Sequence, residues 1–258
     1  MDPADFPLSR RRLCAWAPCL PVSACASWAA TSHAASAAEP APLRWVAGDL
    51  PPFAWQSSEG PQGYAYELAQ LMAERLGRRD AVQFFPWARA VRMTEAGEAL
   101  GVFPLARTPD REHKFRWLIL LMHVSYALVG RAGGGALSLE ALRSRRVGVL
   151  RGSPIIKNLQ AERFSQIIEA KDYKDLLRML RGDMLDAIYA GAPMLNAAIE
   201  LNGYARSAFR TLAHLGEADL YMGCSLHVSE VETDRWLHAY QQLVADGSVA
   251  RLQQRYFR

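Results

Sequence analysis

The sequence predicts an α/β protein of two lobes, each a mixed sheet flanked by helices. Short apolar strands alternate with amphipathic helices, a pattern that favours sheets covered by helices. This alternation begins twice, once near Leu43 and again near Arg146. A glycine-rich stretch at residues 130–135 (GRAGGG) separates the two series. We therefore place the boundary between the lobes near residues 126–135.

The composition is that of a soluble globular chain. Of 258 residues, 50% are apolar and 22% are charged, which excludes a disordered chain. The formal net charge of +4 is too small to indicate a nucleic-acid partner. Four cysteines are too few for a disulfide-stabilised scaffold.

Residues 1–38 have the features of a signal peptide. A basic group at residues 10–12 precedes an uncharged stretch at residues 13–30, and Ala35-Ser36-Ala37 has the form that signal peptidase cleaves. A transmembrane helix is the weaker alternative, because prolines and serines dilute the uncharged stretch. We therefore expect export to the periplasm, which would leave Cys224 as the sole cysteine.

The route of export has three alternatives. A plain Sec signal is preferred. Residues 9–13 (SRRRL) also resemble a twin-arginine (Tat) signal. Residues 22–25 (VSAC) resemble a lipoprotein box, which would leave Cys25 as a lipidated N-terminus.

The first series of elements follows from hydrophobic periodicity and turn residues. Apolar residues at spacings of three and four predict a helix over residues 64–76, and Gly77 stands where a helix commonly ends. The other predicted elements are strands at 43–47, 81–85 and 99–103 and a helix at 87–96.

The second series begins with an apolar strand at residues 146–151. Ser153 and Pro154 then predict a helix start, as N-cap and first helical residue. The remaining predictions are a helix at 172–181 closed by Gly182, a strand at 184–190, a helix opened by Pro193, and two terminal helices over 231–257 hinged at Asp246-Gly247.

Four stretches of the chain match a recurring pattern. They are residues 50–53 with 63–68 (LPPF and GYAYEL), residues 107–111 (RTPDR), residues 147–153 (VGVLRGS), and residues 243–247 (LVADG) followed by Tyr256-Phe257. In this order they resemble the bacterial extracellular solute-binding proteins of family 3, which have the type II periplasmic binding fold. The resemblance covers residues 43–258. Residues 86–90 (PWARA) resemble a subgroup whose members often have unassigned ligands.

The resemblance implies an organisation and a function. Residues 43–125 with 227–258 would form lobe one, and residues 126–226 would form lobe two, with the ligand cleft between the lobes. The protein would be a monomer that captures a small polar, carboxylate-bearing solute and delivers it to the membrane permease of an ABC transporter. It implies no cofactor, no metal and no nucleic acid.

The resemblance also implies a set of ligand-binding residues. Arg111, with Thr108 in the same motif, would grip a carboxylate, which suits a planar guanidinium. Ser153 would offer its hydroxyl to an anionic group. The remaining candidates are three arginines that would add positive charge to the cleft and three aromatics that could stack on a ligand, namely Arg89, Arg107, Arg151, Trp55, Trp87 and Tyr189. For Trp87, packing in the core is the alternative.

Three departures from the family pattern bear on the ligand. Pro104 and Ala106 stand where amino-acid binders have serines, and Gly191 stands where they have the acid that pairs with the α-ammonium group. The carboxylate grip is therefore kept and the ammonium grip lost. A standard α-amino acid is not the expected ligand.

No catalytic constellation is evident, so an enzyme is not expected. The histidines lack metal-ligand spacing, and no nucleophile or phosphate-binding motif occurs. Two alternatives to transport remain. One is a sensory protein whose liganded form contacts a receptor. The other is an enzyme resembling cyclohexadienyl dehydratase, with Asp49 or Glu67 as general acid.

Overall fold

The computed structural model of the chain describes residues 44–77, 82–135 and 137–257. The predicted signal peptide at residues 1–38, with its twin-arginine and lipoprotein alternatives, lies outside the described residues. Among the helices of these described ranges, none has both the length and the apolar character needed to cross a membrane.

The described strands form an eight-stranded mixed sheet and a separate two-stranded hairpin. The sheet order is β4-β1-β5-β10-β6-β9-β7-β8, and β2 pairs with β3 in the hairpin. The strands are β1 (Trp45–Ala47), β2 (Trp55–Ser57), β3 (Gly60–Gln62), β4 (Val82–Phe84), β5 (Gly101–Ala106), β6 (Phe115–Arg131), β7 (Arg146–Leu150), β8 (Gln166–Ala170), β9 (Ala187–Gly191) and β10 (Phe209–Ser225).

The sheet has a first half and a second half on either side of a central strand pair. In the first half, β1 pairs in parallel with β4 and β5; in the second half, β7 pairs in parallel with β8 and β9. Between them, the 17-residue strands β6 and β10 pair antiparallel along nearly their full length. The chain therefore passes between the halves twice, each time inside a strand.

This central pair changes the interpretation of the glycine-rich stretch. Gly130 and Arg131 pair with β10 as part of β6, and only residues 132–135 leave the strand. The strand β6 reaches the second half at residues 126–129, where it pairs with β9, and residues 132–135 lie between the two predicted series. Neither β6 nor β10 was predicted.

The helices cover both faces of the sheet. α1 packs against α7 and α8 beside the first half, and α5 and α6 pack against strands of the second half. The helices are α1 (Tyr64–Arg75), α2 (Trp87–Glu95), α3 (Leu139–Leu142), α4 (Ile156–Ala161), α5 (Tyr173–Arg181), α6 (Ala192–Leu201), α7 (Glu230–Ala245) and α8 (Ser248–Tyr256). Gly247, at a φ of 77°, makes the predicted hinge between α7 and α8.

Aromatic packing fixes the core of the first half. The ring of Trp45 on β1 lies 5.3 Å from Trp236 on α7 and 5.5 Å from Phe103 on β5, and all three residues are fully buried. A Cβ on Gly101 would lie 2.2 Å from the Trp45 ring, so only glycine fits beside it. The strand β5 and the penultimate helix, α7, are thereby fixed against β1.

One predicted helix start is wrong. Ser153 does not cap α4: its side chain makes no capping hydrogen bond, and α4 begins three residues later at Ile156. Residues 151–155 instead form successive turns, with the backbone N–H of Ile156 donating to the Ser153 carbonyl at 3.4 Å. Gly152, at a φ of 76°, permits the first turn.

Candidate functional site

A small inner cavity lies where the two halves of the sheet meet. Its walls come from segments at the carboxyl ends of the parallel strands, where ligands of open α/β sheets bind, together with two positions on the central pair. It has a volume of about 30 Å³. The lining residues are Leu50, Trp87, Pro104, Ala106, Tyr126, Leu150, Ser153, Pro154, Tyr173, Met194 and Leu220.

Arg111 is 9% exposed and contacts the backbone of Ala106, a residue that lines this cavity, but Arg111 does not itself line it. Its guanidinium donates to the Ala106 carbonyl of the first half and to the Gly152 carbonyl of the second half, both at 3.3 Å. Among the described residues, no carboxylate forms an ion pair with it. Burial lowers the pKa of Arg111 to about 10. Arg111 is thus a buried cation that no carboxylate of the described residues contacts directly, while Glu95 and Asp110 act on it at longer range.

Gly191 ends β9, and its empty side-chain position is filled by Met194. A Cβ on Gly191 would lie 2.5 Å from the Met194 terminal methyl and 3.4 Å from the Tyr126 ring. Met194 is 7% exposed and lines the inner cavity. A thioether therefore occupies the region where the family resemblance places an acid.

Two tyrosines close the cavity from the second half and from the central pair. Tyr126 on β6 and Tyr173 at the start of α5 are both buried. Burial raises the pKa of both hydroxyls above the usual range, so both stay protonated. Each can offer a neutral hydrogen-bond donor without adding charge.

A larger outer chamber of about 380 Å³ shares one lining residue, Tyr173, with the inner cavity. Its walls come from the hairpin of the first half and from α5 and α6 of the second. The lining residues are Asp49, Pro51, Trp55, Gln56, Ser57, Ser58, Asp172, Tyr173, Lys174, Ala198, Leu201 and Asn202. The outer chamber is exposed to solvent and more polar than the inner cavity.

Asp49 and Asp172 approach the outer chamber from opposite halves. Desolvation and the nearby charge of Asp172 raise the pKa of Asp49, while a hydrogen bond from the Gln56 backbone lowers it. Asp172 caps α5, accepting from the Asp175 backbone N–H at 2.7 Å. Lys171 lies 3.9 Å from the Asp172 carboxylate.

Some of the predicted site residues meet at these spaces. Trp87 and Ser153 line the inner cavity, and Trp55 lines the outer chamber. Arg107 and Thr108 line a side pocket of about 290 Å³, which shares Tyr126 and Pro154 with the inner cavity. The Thr108 hydroxyl is buried there without a hydrogen-bond partner.

Other predicted residues lie away from the inner cavity. Arg89 is exposed, with its guanidinium 4.8 Å from the Phe85 ring. Arg107 pairs with Glu112, which raises the pKa of its guanidinium. Arg151 is exposed on its turn. The structure therefore does not gather these arginines around one ligand position.

Tyr189 is a core residue whose hydroxyl is already used. It is fully buried; its hydroxyl donates to the Leu215 carbonyl and accepts from Asn158. Its ring contacts Tyr126, at 5.9 Å between centroids. Tyr189 thus supports Tyr126 from behind and does not line the inner cavity.

The sequence reasoning missed Tyr126, Tyr173 and Met194 as lining residues. A signal existed for two of them, because Tyr173 and Met194 follow parallel strands at their carboxyl ends, where the strands of both halves point toward the cleft. Glu67, considered as a general acid, instead pairs with Arg255 at 2.6 Å and with the Tyr256 hydroxyl. No group of three metal-ligating side chains occurs in the part of the chain that the structure describes.

Solved structures with the same fold cover most of the chain. An ancestral arginine-binding protein bound to arginine gives a TM-score of 0.75 at 17% identity, covering 84% of this chain and 98% of that one. A substrate-binding protein of an ABC uptake transporter from Streptococcus pneumoniae with bound histidine gives 0.76 at 16% identity, covering 83% and 92%. A histidine kinase sensor domain gives 0.74 at 19% identity, covering 83% and 96%. These similarities confirm the predicted fold.

A curated relative also matches by sequence. The membrane-bound lytic murein transglycosylase F of Ectopseudomonas mendocina (strain ymp) is 24% identical over 235 residues. The match covers 83% of this chain, and the chain spans about half (46%) of the length of that relative. The two proteins thus share a region.

The family follows from a match over nearly the whole described chain. The sequence profile of the bacterial extracellular solute-binding proteins, family 3, matches residues 45–258. This range contains both halves of the sheet, the inner cavity and Arg111. The chain belongs to family 3 of the bacterial extracellular solute-binding proteins.

Proposed function

We propose that this protein captures a small carboxylate-bearing solute in the periplasm and delivers it to the permease of an ABC transporter. The observation that carries the proposal is Arg111, a buried cation with no acidic partner among the described residues. A buried charge without a counter-charge costs several kcal/mol. A ligand carboxylate supplies that counter-charge.

The contacts of Arg111 suit exchange with a ligand. Two 3.3 Å hydrogen bonds to neutral carbonyls are weaker than the bidentate pair that a guanidinium forms with a carboxylate. One of these carbonyls belongs to each half of the sheet. A ligand bound to Arg111 would therefore interact with a side chain that contacts both halves. Ser153 and the tyrosine hydroxyls add neutral donors nearby.

We assign binding to opening and closing of two lobes, residues 43–125 with 227–258 and residues 126–226. The inner cavity of about 30 Å³ has room for about two waters, since one water needs ~10–15 Å³. A solute enters when the halves separate. The strands β6 and β10 are the two connections about which they would turn.

The solute lacks the α-ammonium group that amino-acid binders recognise. Met194 occupies the space beside Gly191, and a thioether gives an ammonium group no counter-charge. The similar structures bound to arginine and histidine are binding proteins for α-amino acids. We propose that this chain keeps their fold and differs in this half of the recognition.

The test is a ligand screen with charge-matched variants. Carboxylates without an amine, α-amino acids and dicarboxylates are screened by thermal shift; a ligand at 100 Kd adds ~2.7 kcal/mol of stability. We expect hits among the carboxylates, and Arg111→Met to weaken them at least ~30-fold, about 2 kcal/mol. Arg111→Lys keeps the charge without the bidentate geometry and should fall between.

The control is Arg235→Met, on the exposed face of α7. It changes the net charge of the protein equally and should leave binding unchanged. Binding that survives Arg111→Met and Arg111→Lys, or that occurs solely with α-amino acids, would refute the proposed ligand class. Copurification with a permease then separates transport from the sensory alternative, which makes the same binding prediction.

One observation supports a second candidate function, that of an enzyme. Asp49 lines the outer chamber, and desolvation raises its pKa, as a general acid requires. A dehydratase resembling cyclohexadienyl dehydratase would use this proton on a prephenate-like diacid. Turnover that Asp49→Asn abolishes would support the enzyme; absence of turnover by the wild-type protein would exclude it.

A further inference from the structure

We propose that the outer chamber is a second ligand subsite, which holds the uncharged, ring-bearing body of a monocarboxylate whose carboxylate reaches Arg111. This inference rests on the proposed function and names the substrate class of that site. The evidence for it is the sizes of the two spaces, the lining residue that they share, Tyr173, and the side chains of the outer chamber.

The volumes of the two spaces indicate which part of the ligand each can hold. The inner cavity of about 30 Å³ admits a group about the size of a carboxylate, on the scale of ~10–15 Å³ per water. The outer chamber of about 380 Å³ lies in the range of roughly 300–1,000 Å³ that small-molecule sites occupy. A ligand anchored at Arg111 therefore has its room in the outer chamber.

The two spaces share a lining residue at the start of α5. Tyr173 lines both the inner cavity and the outer chamber. It is the first residue of α5, whose N-terminus Asp172 caps. A further pocket of about 240 Å³ shares Leu50, Trp87 and Leu150 with the inner cavity and Asp49 and Asp172 with the outer chamber. Because the spaces border one another, a single molecule that extends from the inner cavity has room in the outer chamber.

The walls of the outer chamber offer an apolar ring face. Trp55 on β2 is half-buried, and an edge-to-face contact at 5.9 Å with Tyr256 holds its ring in place. Opposite, Leu201 ends α6 and is 55% exposed. A pre-ordered tryptophan loses little side-chain entropy when a ring packs on it.

The charges of the outer chamber disfavour a second carboxylate. Asp49 and Asp172 line it with one ammonium group, Lys174. Lys171 lies outside the lining against Asp172, at 3.9 Å. There is no excess positive charge to compensate another anion, while Ser57 and Asn202 can bind hydroxyl or amide groups. A second carboxylate on the ligand body is therefore disfavoured.

The experiment compares short and ring-bearing carboxylates by isothermal titration calorimetry of the purified protein. The probes are propionate, 3-phenylpropionate, 4-phenylbutyrate and succinate. We expect the better phenyl acid to bind at least tenfold more tightly than propionate, and succinate to bind no better than propionate. Trp55→Ala should remove most of the tenfold ratio between the affinities for the phenyl acid and for propionate, and Trp55→Phe should restore part of it.

A matched pair of variants controls for general loss of apolar surface. Leu201→Ser should weaken the phenyl acids alone, whereas Val231→Ser, at a site 63% exposed on α7, should change nothing. Arg111→Met should weaken every carboxylate.

The outcomes separate the two proposals. If propionate binds through Arg111 but the phenyl acids gain nothing, or their gain survives Trp55→Ala, the chamber inference is overturned and the proposed function stands. If succinate binds most tightly, the uncharged body is wrong. If no carboxylate depends on Arg111, both proposals fail.

Discussion

The inner cavity and the outer chamber lie side by side between the same two halves of the sheet, yet they are built differently. The inner cavity is lined by buried residues on or beside strands, such as Tyr126 and Met194, which also belong to the core. The outer chamber is lined by a hairpin and by helix ends, such as Trp55 and Leu201. Recognition next to Arg111 is thus tied to stability, whereas the outer wall can vary without disturbing the core.

The largest expected effect comes from truncating one apolar residue in each region. Met194→Ala should lower the free energy of unfolding by about 2–5 kcal/mol, because it empties a buried, well-packed site. Leu201→Ala should change it by less than about 0.5 kcal/mol, because that side chain is 55% exposed. Urea unfolding of both variants measures the difference. Equal losses would mean that the two regions do not differ in this way.

A second prediction concerns the ammonium grip. Gly191→Asp alone should destabilise the protein by about 1–3 kcal/mol, because its Cβ would lie 2.5 Å from the Met194 methyl. Combining it with Met194→Ala removes that overlap and leaves a carboxylate near the inner cavity. We expect the double variant to bind α-amino acids that the wild-type protein does not bind, as measured by calorimetry.

The single variant Met194→Ala is the control for the double variant. Met194→Ala without the new carboxylate enlarges the cavity equally but supplies no counter-charge for an ammonium group. If Met194→Ala alone gains α-amino-acid binding, space and not charge excludes these ligands from the wild-type protein. If the double variant gains none, the loss of the acid at Gly191 is not what sets the ligand class.

The fold was predictable where periodicity is strong. Helices α1 and α5 appeared in the sequence with their terminating residues Gly77 and Gly182, since apolar spacing and turn chemistry act locally. The long strands β6 and β10 did not, because each runs through both halves and no local pattern records that. Their pairing joins residues about 80 to 110 positions apart, such as Arg131 with Phe209 and Phe115 with Ser225.

The candidate site, like the fold, was predictable from the sequence only in part. Arg111 came from a motif, and its burial agrees with a special role. Arg89 and Arg151 carry the same charge but lie exposed, because residue type alone does not fix the direction of a side chain. Met194 filling the space of Gly191 depends on packing between a strand end and the following helix, which the sequence does not encode as a pattern.

The smallest expected effect is electrostatic and belongs to the outer chamber. Because the pKa of Asp49 is raised in the folded protein, its ionised form destabilises the fold at pH 7. That destabilisation is full above the folded pKa and disappears as the pH falls below the unfolded value. Asp49→Asn should therefore raise the Tm at pH 7, and the gain should shrink toward pH ~4. Asparagine can still accept the Gln56 backbone hydrogen bond, so the local structure persists.

Thermal unfolding between pH 4 and pH 8 measures this effect, with Asp234→Asn on the exposed surface of α7 as the control. The control has the same change in net charge, so a gain common to both variants would reflect the overall charge of the protein. A gain at Asp49 that stays constant with pH would assign the effect to something other than its ionisation. In contrast, the inner cavity should show no such pH dependence over this range, because Arg111, with a pKa of about 10, keeps its charge throughout.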